Sequence, residues 1–373
     1  MIPFNKPALT GKEITYIRKV LEGGTYSGNG FFTKQVHDFF KKSGFQQPYL
    51  TSSCSAALEM AALVAGINEG DEIILPSFTF VSTANAFAFR GAKLVFADSS
   101  DNSPNIDVTK AEALITKKTK AIVCVHYGGI ACDMKALTAL AKKHNIFLIE
   151  DAAHAIGCTY KGKPLGSIGN MGTLSFHETK NINAGEAGLL CINEKSLVKN
   201  ADIIWEKGTN RKEFDKGQVD KYEWVGLGSS FLASEITAAF LCAQLEALDK
   251  INDKRIKIWN EYHQQFDQLN NEGKLAIPHV PEYASHNGHI YYLVCSCEEE
   301  RKKLILHLKK AGVHAVFHYQ SLHQSKYFKN QYSGSSLSNA DKFSECLVRL
   351  PLFYSMKKPE QLHIIKSVLS FYK

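Results

Sequence analysis

The chain has 373 residues, 45% of them hydrophobic and 22% charged, which suits two globular domains and excludes a disordered or fibrous chain. A formal net charge of +7 favours anionic partners. Lys and Arg are nevertheless interleaved with Asp and Glu, with no basic helix or aromatic-basic ladder, so a small anionic substrate is expected rather than nucleic acid.

In chain order, the first two-thirds alternate helical patterns with short apolar runs. A helix is expected over Ala56–Ala65, then a strand over Glu72–Pro76, a helix over Val81–Phe89 and a strand over Lys93–Ala97. Strands follow at Ala121–Val125 and Ile146–Ile149, with a helix over Met134–His144 between them, and a short strand at Gly172–Ser175. Continuous apolar runs separated by helices predict an α/β domain with a mainly parallel sheet covered on both faces. Near Leu245 the pattern changes. Leu245, Leu248, Ile256, Trp259 and Phe266 recur at roughly helical spacing through a charged segment, as in one long helix. Beyond it the chain reads as strand (His289–Cys295), helix (Arg301–Ala311), strand (Val313–Tyr319) and a last helix from Pro359. The division is therefore a large domain over residues 1–244 and a small α+β domain over residues 245–373.

No apolar run is long enough to cross a bilayer, and Met1-Ile2-Pro3-Phe4-Asn5-Lys6 lacks the apolar core of a signal peptide, so no membrane contact and a cytoplasmic location are expected. Nine scattered cysteines describe no disulfide framework. Cys295 and Cys297 alternate along an apparent strand and are expected to point the same way, as plain thiols rather than metal ligands.

Three segments carry chemistry. Phe147-Leu148-Ile149-Glu150-Asp151-Ala152-Ala153-His154 ends a buried strand with a carboxylate, where an open α/β sheet binds its ligand. Alone, Asp151 reads as a helix cap. Gly172 to Asn181 places Lys180 after another short strand, with Ser175 five residues earlier and Gly185-Glu186-Ala187-Gly188 following. Alone, Lys180 reads as a solvated surface charge. Thr51-Ser52-Ser53-Cys54-Ser55 leads into an Ala/Leu-rich helix, whose free N–H groups suit a phosphate as well as they suit simple capping. Pyridoxal phosphate needs all of these parts: a lysine amine, a carboxylate at the ring nitrogen, donors at a helix start, and a flat side chain against the ring, for which Phe80 is the candidate.

With these segments in place, the whole chain resembles the DegT/DnrJ/EryC1/StrS sugar aminotransferases, within the fold type I, aspartate aminotransferase-like enzymes. The resemblance lies in Pro3–Pro7, Ser27–Gly30, Pro76–Phe80, Glu150–His154, Ser175–Lys180 and His318–His323. Ser175–Asn181, Glu206–Arg211, Gly217–Tyr222, Gly228–Leu232 and Ala315–Tyr319 resemble the subgroup of dTDP-4-amino-4,6-dideoxygalactose transaminases of enterobacterial common antigen synthesis. This resemblance implies pyridoxal 5'-phosphate as cofactor, L-glutamate as amino donor, dTDP-4-keto-6-deoxyglucose as acceptor, and a homodimer with shared active sites. It implies that Lys180 carries the cofactor as a Schiff base and that Asp151 pairs with the ring nitrogen. It further implies His154 near the ring's 3-hydroxyl, Phe80 on the ring face, and Ser53, Cys54, Ser55 and Ser175 at the phosphate. Ser230 stands where many relatives place an Asn that reaches the neighbouring subunit's phosphate, and Ala187 replaces a Gly usual in the turn after the lysine. His177, Glu186, Arg211, His318 and His323 are candidates for sugar or nucleotide contact, each as readily a structural polar residue. The gluco epimer and a 3-amino sugar are alternative products. Lys180 argues against sugar dehydration, for which some relatives carry His there, and intact Lys180 and Asp151 argue against an inactive binding or regulatory protein. No Gly-x-Gly-x-x-Gly follows the early strands, which sets aside a nicotinamide dehydrogenase.

Overall fold

The computed structural model describes residues 1–373. Seven strands form the central sheet: Gln47–Thr51 (β1), Glu72–Pro76 (β2), Lys93–Ala97 (β3), Thr119–Val125 (β4), Phe147–Asp151 (β5), Met171–Ser175 (β6) and Gly188–Ile192 (β7). Their order is β1-β7-β6-β5-β4-β2-β3. All neighbours run parallel except β7, which is antiparallel to both β1 and β6. The mainly parallel α/β sheet is thus present, with one reversed strand inside it.

Residues alternate between two buried clusters, one on each face. Ile74, Ile122, Cys124, Leu148, Leu174 and Leu189 join one cluster; Ile73, Leu75, Ala121, Val123, Ile149 and Leu190 join the other. This is why the strands read as unbroken apolar runs: both faces of the pleat are covered. The covering helices form where expected, over Cys54–Val64, Val81–Ala88 and Met134–His144. The last shows how sequence sets its ends. Asp133 Oδ1 accepts the amides of Lys135 and Ala136, both at 3.1 Å, and Asn145 closes the helix in the left-handed region at φ 53°.

A long helix runs over Leu248–Asn271 and buries Ile258, Trp259, Tyr262 and Phe266 in a third cluster. A separate helix, Glu235–Leu245, ends just before it, so the long helix starts later than the periodicity predicts. The third cluster is completed by strands Tyr291–Val294 (β8) and Leu347–Leu350 (β9), which pair antiparallel, and by helices Glu298–Lys310 and Lys358–Phe371.

Two expectations fail here. Val313–Tyr319 forms no strand; it makes only single bridges, Val313 to Ile2 and Val316 to Arg349. Its side chains instead serve a cavity described below. Cys295 and Cys297 do not point the same way, because β8 ends at Val294: Cys295 is buried and Cys297 is the exposed residue before the next helix. No helix is long and apolar enough to cross a membrane.

Candidate active site

The carboxyl ends of the parallel strands converge on one cavity of about 740 Å³, large enough for a cofactor and a small substrate. β1 leads to Ser53, Cys54 and Ser55, β2 to Thr79 and Phe80, β5 to Asp151 and His154, and β6 to Ser175, His177 and Lys180. A second cavity of about 670 Å³ holds another lysine–aspartate pair, but Lys212 and Asp202 are locked together there at 2.5 Å.

At one end of the larger cavity the Cys54–Val64 helix begins. Ser53 Oγ caps it, accepting the Ala56 amide at 3.0 Å, so Ser53 is the cap that the plainer reading required. The amides of Cys54 and Ser55 precede the first intrahelical donor, Ala57, and are left for an anionic acceptor. The Ser55 hydroxyl donates to Ser82 Oγ at 2.7 Å. Burial pushes the Cys54 thiol up to about 12, so it stays neutral. Gly188 belongs to this corner, not to a ligand-facing turn. A methyl group on it would lie 2.3 Å from the Ser53 carbonyl and 2.4 Å from the Cys54 nitrogen. Its missing side chain lets β7 lie against the helix start.

Asp151 is buried at the end of β5. Its Oδ2 accepts the Thr83 hydroxyl at 2.8 Å and its Oδ1 the Ala153 amide at 3.1 Å. Burial raises its pKa; Thr83 and Ala153 pull it back. None of the ion pairs includes this carboxylate, and Lys180 and His126 act on it only at longer range, so the site suits a cationic N–H such as a protonated pyridine. The Lys180 amine shares the cavity, and burial pulls it down to about 8. A lysine so shifted has a far larger neutral fraction near neutral pH than an ordinary one.

Around this pair stands an aromatic wall. His154 Nδ1 accepts the Gly128 amide at 3.2 Å, which places the proton of the neutral ring on Nε2, 3.4 Å from Tyr319 Oη. Burial holds His154 well below the usual histidine range. His318 stacks on Tyr319 at 3.5 Å between centroids and accepts the Tyr127 hydroxyl at 2.6 Å. Phe80, 54% exposed, faces the cavity with Tyr319 6.1 Å away. Asn181 braces the lysine loop: its Nδ2 donates to Asn252 Oδ1 and Asn287 O at 2.9 Å each, and its Oδ1 meets His289 Nδ1 at 2.9 Å.

Ser53, Cys54, Ser55, Phe80, Asp151, His154, Ser175, His177, Lys180, Glu186 and His318 therefore share one cavity. His177 Nε2 and Glu186 Oε1 lie 3.5 Å apart within it. Three expected residues do not reach it in this chain. His323 is buried against Ser77 Oγ at 2.7 Å, with Asp341 at 3.5 Å. Arg211 starts a short helix and sits 5.8 Å from the Tyr222 ring. Ser230 is bridged to Glu206. Conversely, Thr83, Tyr319, His289, Arg255 and Arg349 line the cavity and were missed. Arg349 had a readable signal: it is a charge in the middle of an apolar strand. The donor trio Cys124, His126 and Cys132 lies within 4.8 Å, but both His126 nitrogens are taken, Nδ1 by the Cys132 amide and Nε2 by Glu150.

The DegT/DnrJ/EryC1/StrS aminotransferase family model matches residues 7–369. Spore coat polysaccharide biosynthesis protein SpsC of Bacillus subtilis is 32% identical, covering 100% of this chain and 97% of that protein. Among solved structures, the aminotransferase TlmJ of Streptoalloteichus hindustanus superposes with a TM-score of 0.91 at 27% identity, covering 100% of this chain and 99% of that one. A putative sugar aminotransferase of Streptococcus pneumoniae, solved in a PMP form, superposes with a TM-score of 0.90 at 27% identity over 100% and 99%. Aminotransferases of this family use pyridoxal phosphate, and the unpaired Asp151 carboxylate, the Lys180 amine and the helix start fit its ring nitrogen, aldehyde and phosphate. The chain belongs to the DegT/DnrJ/EryC1/StrS aminotransferases.

Proposed function

We propose that this chain transfers an amino group from L-glutamate to dTDP-4-keto-6-deoxy-D-glucose, giving dTDP-4-amino-4,6-dideoxy-D-galactose and 2-oxoglutarate. The observation that carries the reaction type is the pairing of Lys180 and Asp151 in one cavity, with the Cys54 and Ser55 amides at its end. Pyridoxal phosphate, when bound, supplies an electron sink for the pair of electrons left when a C–H bond breaks.

Lys180 is the proton carrier. Its amine, lowered to about 8, takes the proton from the donor's Cα and returns it across the cavity, as base and then acid. Asp151, fixed by Thr83 and Ala153, would hold a proton on the ring nitrogen. The Cys54 and Ser55 amides and the Ser175 hydroxyl would bind the phosphate, while the Ser55 hydroxyl is given to Ser82. Phe80 would cover a ring face, and His154, with Tyr319 beside it, would meet the ring's 3-hydroxyl. His177, Glu186 and His318 face the substrate from the cavity wall.

Support for the sugar comes from the phrases at Glu206–Arg211, Gly217–Tyr222, Gly228–Leu232 and Ala315–Tyr319. The active unit we propose is a homodimer. Arg211 and Ser230 flank an exposed apolar stretch, with Trp224 80% exposed and Tyr222, Val225 and Leu227 also open. A partner covering that stretch would bring Ser230 to its own cavity, as the resemblance implies, and would carry Arg211 with it.

The test is to incubate the holoenzyme with glutamate and a panel of dTDP- and UDP-keto sugars, reading the product's stereochemistry by NMR. A 4-amino galacto product from the dTDP sugar is expected. A gluco or 3-amino product overturns the substrate assignment. Lys180→Ala is expected to lose turnover while remaining folded, and unchanged turnover overturns the assignment of Lys180.

A further inference from the structure

We propose that His289 accepts a hydrogen bond from the keto sugar's hydroxyl on the carbon next to the reacting carbonyl, as a specificity residue of the sugar half-reaction. This rests on the aminotransferase reading above and deepens it. His289 reaches the cavity from the segment between the long helix and β8. A neutral imidazole carries one ring proton, and here three buried asparagines dictate its place. Asn252 Nδ2 donates to the Ile156 carbonyl at 3.2 Å, which turns the Asn252 oxygen toward Asn181. Asn181 Nδ2 donates to that oxygen and to the Asn287 carbonyl, both at 2.9 Å. Flipping the Asn181 amide would set its oxygen against two others. Asn181 Oδ1 therefore faces His289 Nδ1, at 2.9 Å, and an amide oxygen only accepts. The proton sits on Nδ1, and Nε2 keeps a bare lone pair with no partner in the chain.

The ring stays neutral. Burial holds His289 well below the usual histidine range, and His154, Lys180, Arg255 and Arg349 act in the same direction. Its neighbour is the opposite tautomer. His154 packs on His289 at 4.5 Å between centroids, accepts the Gly128 amide on Nδ1, and so presents an N–H from Nε2. One ring donor and one ring acceptor thus stand side by side at this end of the cavity.

The chemistry of that lone pair selects its ligand. The Cys54 and Ser55 amides, Lys180, Arg255 and Arg349 give the cavity donors, which suit phosphates, carboxylates and carbonyls. A lone pair repels all three and takes only an O–H or N–H. The cavity's carboxylates are placed otherwise: Asp151 is held by Thr83 and Ala153, and Glu186 lies beside His177. Beyond its amine, glutamate carries only acceptor oxygens near neutral pH, so it has nothing to give His289. A 4-keto-6-deoxy sugar carries hydroxyls, and the one at C3 is bonded to the carbon beside the carbonyl. The Lys180 charge acts on His154 and His289 alike, which sets the pair near the transferred amine and so near that hydroxyl, not near the nucleotide.

Rapid mixing of the aminated enzyme with the dTDP-4-keto-6-deoxy sugar, and with its 3-deoxy analogue, which cannot donate, tests this. Wild type is expected to convert the analogue about 10- to 100-fold less efficiently. His289→Phe keeps a ring against His154 and removes the acceptor. It should lose a similar factor on the hydroxylated sugar and nothing further on the analogue, so that the two substrates become equal. The glutamate half-reaction should be kept. His289→Gln retains an acceptor oxygen and should recover part of the loss. A wild-type enzyme that treats the two sugars alike overturns the proposal with no variant needed. An equal loss on both sugars in His289→Phe, or a loss in the glutamate half-reaction, also overturns it and assigns His289 to holding Asn181 in the lysine loop. A wild-type enzyme that takes a different keto sugar overturns only the choice of sugar, and that sugar's analogue without the hydroxyl beside its carbonyl decides His289. A wild-type enzyme inert to every keto sugar overturns both readings.

Discussion

Thr83 donates its hydroxyl to Asp151 Oδ2 at 2.8 Å, a helix residue fixing the plane of a carboxylate at a strand end. The Thr79 hydroxyl lies 2.9 Å from Thr83 Oγ1 and extends the chain of bonds. Burial raises the pKa of Asp151 and Thr83 opposes that rise, so the hydroxyl favours the charged carboxylate that a ring nitrogen needs. Thr83→Val conserves shape and removes the donor. Pyridoxal phosphate affinity of the apoprotein, read by absorbance titration, should fall roughly tenfold, the size of one hydrogen bond to a charged acceptor. An unchanged affinity would mean that Ala153 alone holds Asp151.

Glu150, next in the strand, points to the opposite face. Its oxygens accept the amides of Gly166, Ile168 and Gly169 at 2.9, 2.6 and 2.6 Å and meet His126 Nε2 at 3.0 Å. Glu150→Ala would orphan two buried amides, one half-buried amide and a bond to a buried histidine. A loss of at least about 3 kcal/mol is expected in denaturant unfolding. Asn193 holds the same loop through Gly166 O and Gly169 O at 3.0 and 2.9 Å, so Glu150→Gln, which keeps an acceptor, should cost less.

Much of this was legible in the sequence because it is set locally. Met134–His144 was bounded by Asp133 and Asn145, and β2 to β5 by apolar runs that only a sheet covered on both faces produces. Asp151 and Lys180 were found because each follows such a run. What escaped depends on distant partners. Val316 and Phe317 have strand-like residues, but their neighbours are Arg349 and the cavity, not a ladder. The need for a glycine at position 188 was not legible, because the space its side chain would take is filled by Ser53 and Cys54, far away in sequence. Arg211 matched a phrase, and a phrase carries no information about which cavity a side chain meets.

Lys180 gives a pH prediction whose sign follows from its shift. Burial lowers the folded-state pKa from 10.5 to about 8. Below pH 8 the amine is charged in both states and its burial opposes folding fully. Between about 8 and 10.5 the unfolded chain binds the extra proton, so stability rises with pH and the penalty disappears. In cofactor-free protein, Lys180→Met should therefore be more stable than wild type at pH 7, by up to about 3 kcal/mol. That advantage should fade by pH 10.5. Parallel unfolding curves for the two proteins across this range, with a constant gap, would show that the amine is not desolvated.

Gly188 couples the sheet to the phosphate end of the cavity. It pairs with Thr51 on one side and Ser175 on the other, so it is framed by the strand ends that lead to the helix start and to the lysine loop. Gly188→Ala places a methyl 2.3 Å from the Ser53 carbonyl, against backbone that cannot rotate away. Either β7 or the Ser53–Cys54 turn must move, at a cost of about 1–3 kcal/mol. Moving the turn shifts the Cys54 and Ser55 amides, which act as donors only in line with their acceptor. The expected result is a stability loss of that size together with a weaker hold on pyridoxal phosphate. The weakening should be larger than for Ala187→Gly, which leaves the helix start untouched. Inorganic phosphate offered to the apoprotein separates the two effects. If its binding survives in Gly188→Ala while stability falls, β7 has moved and the anion site has not.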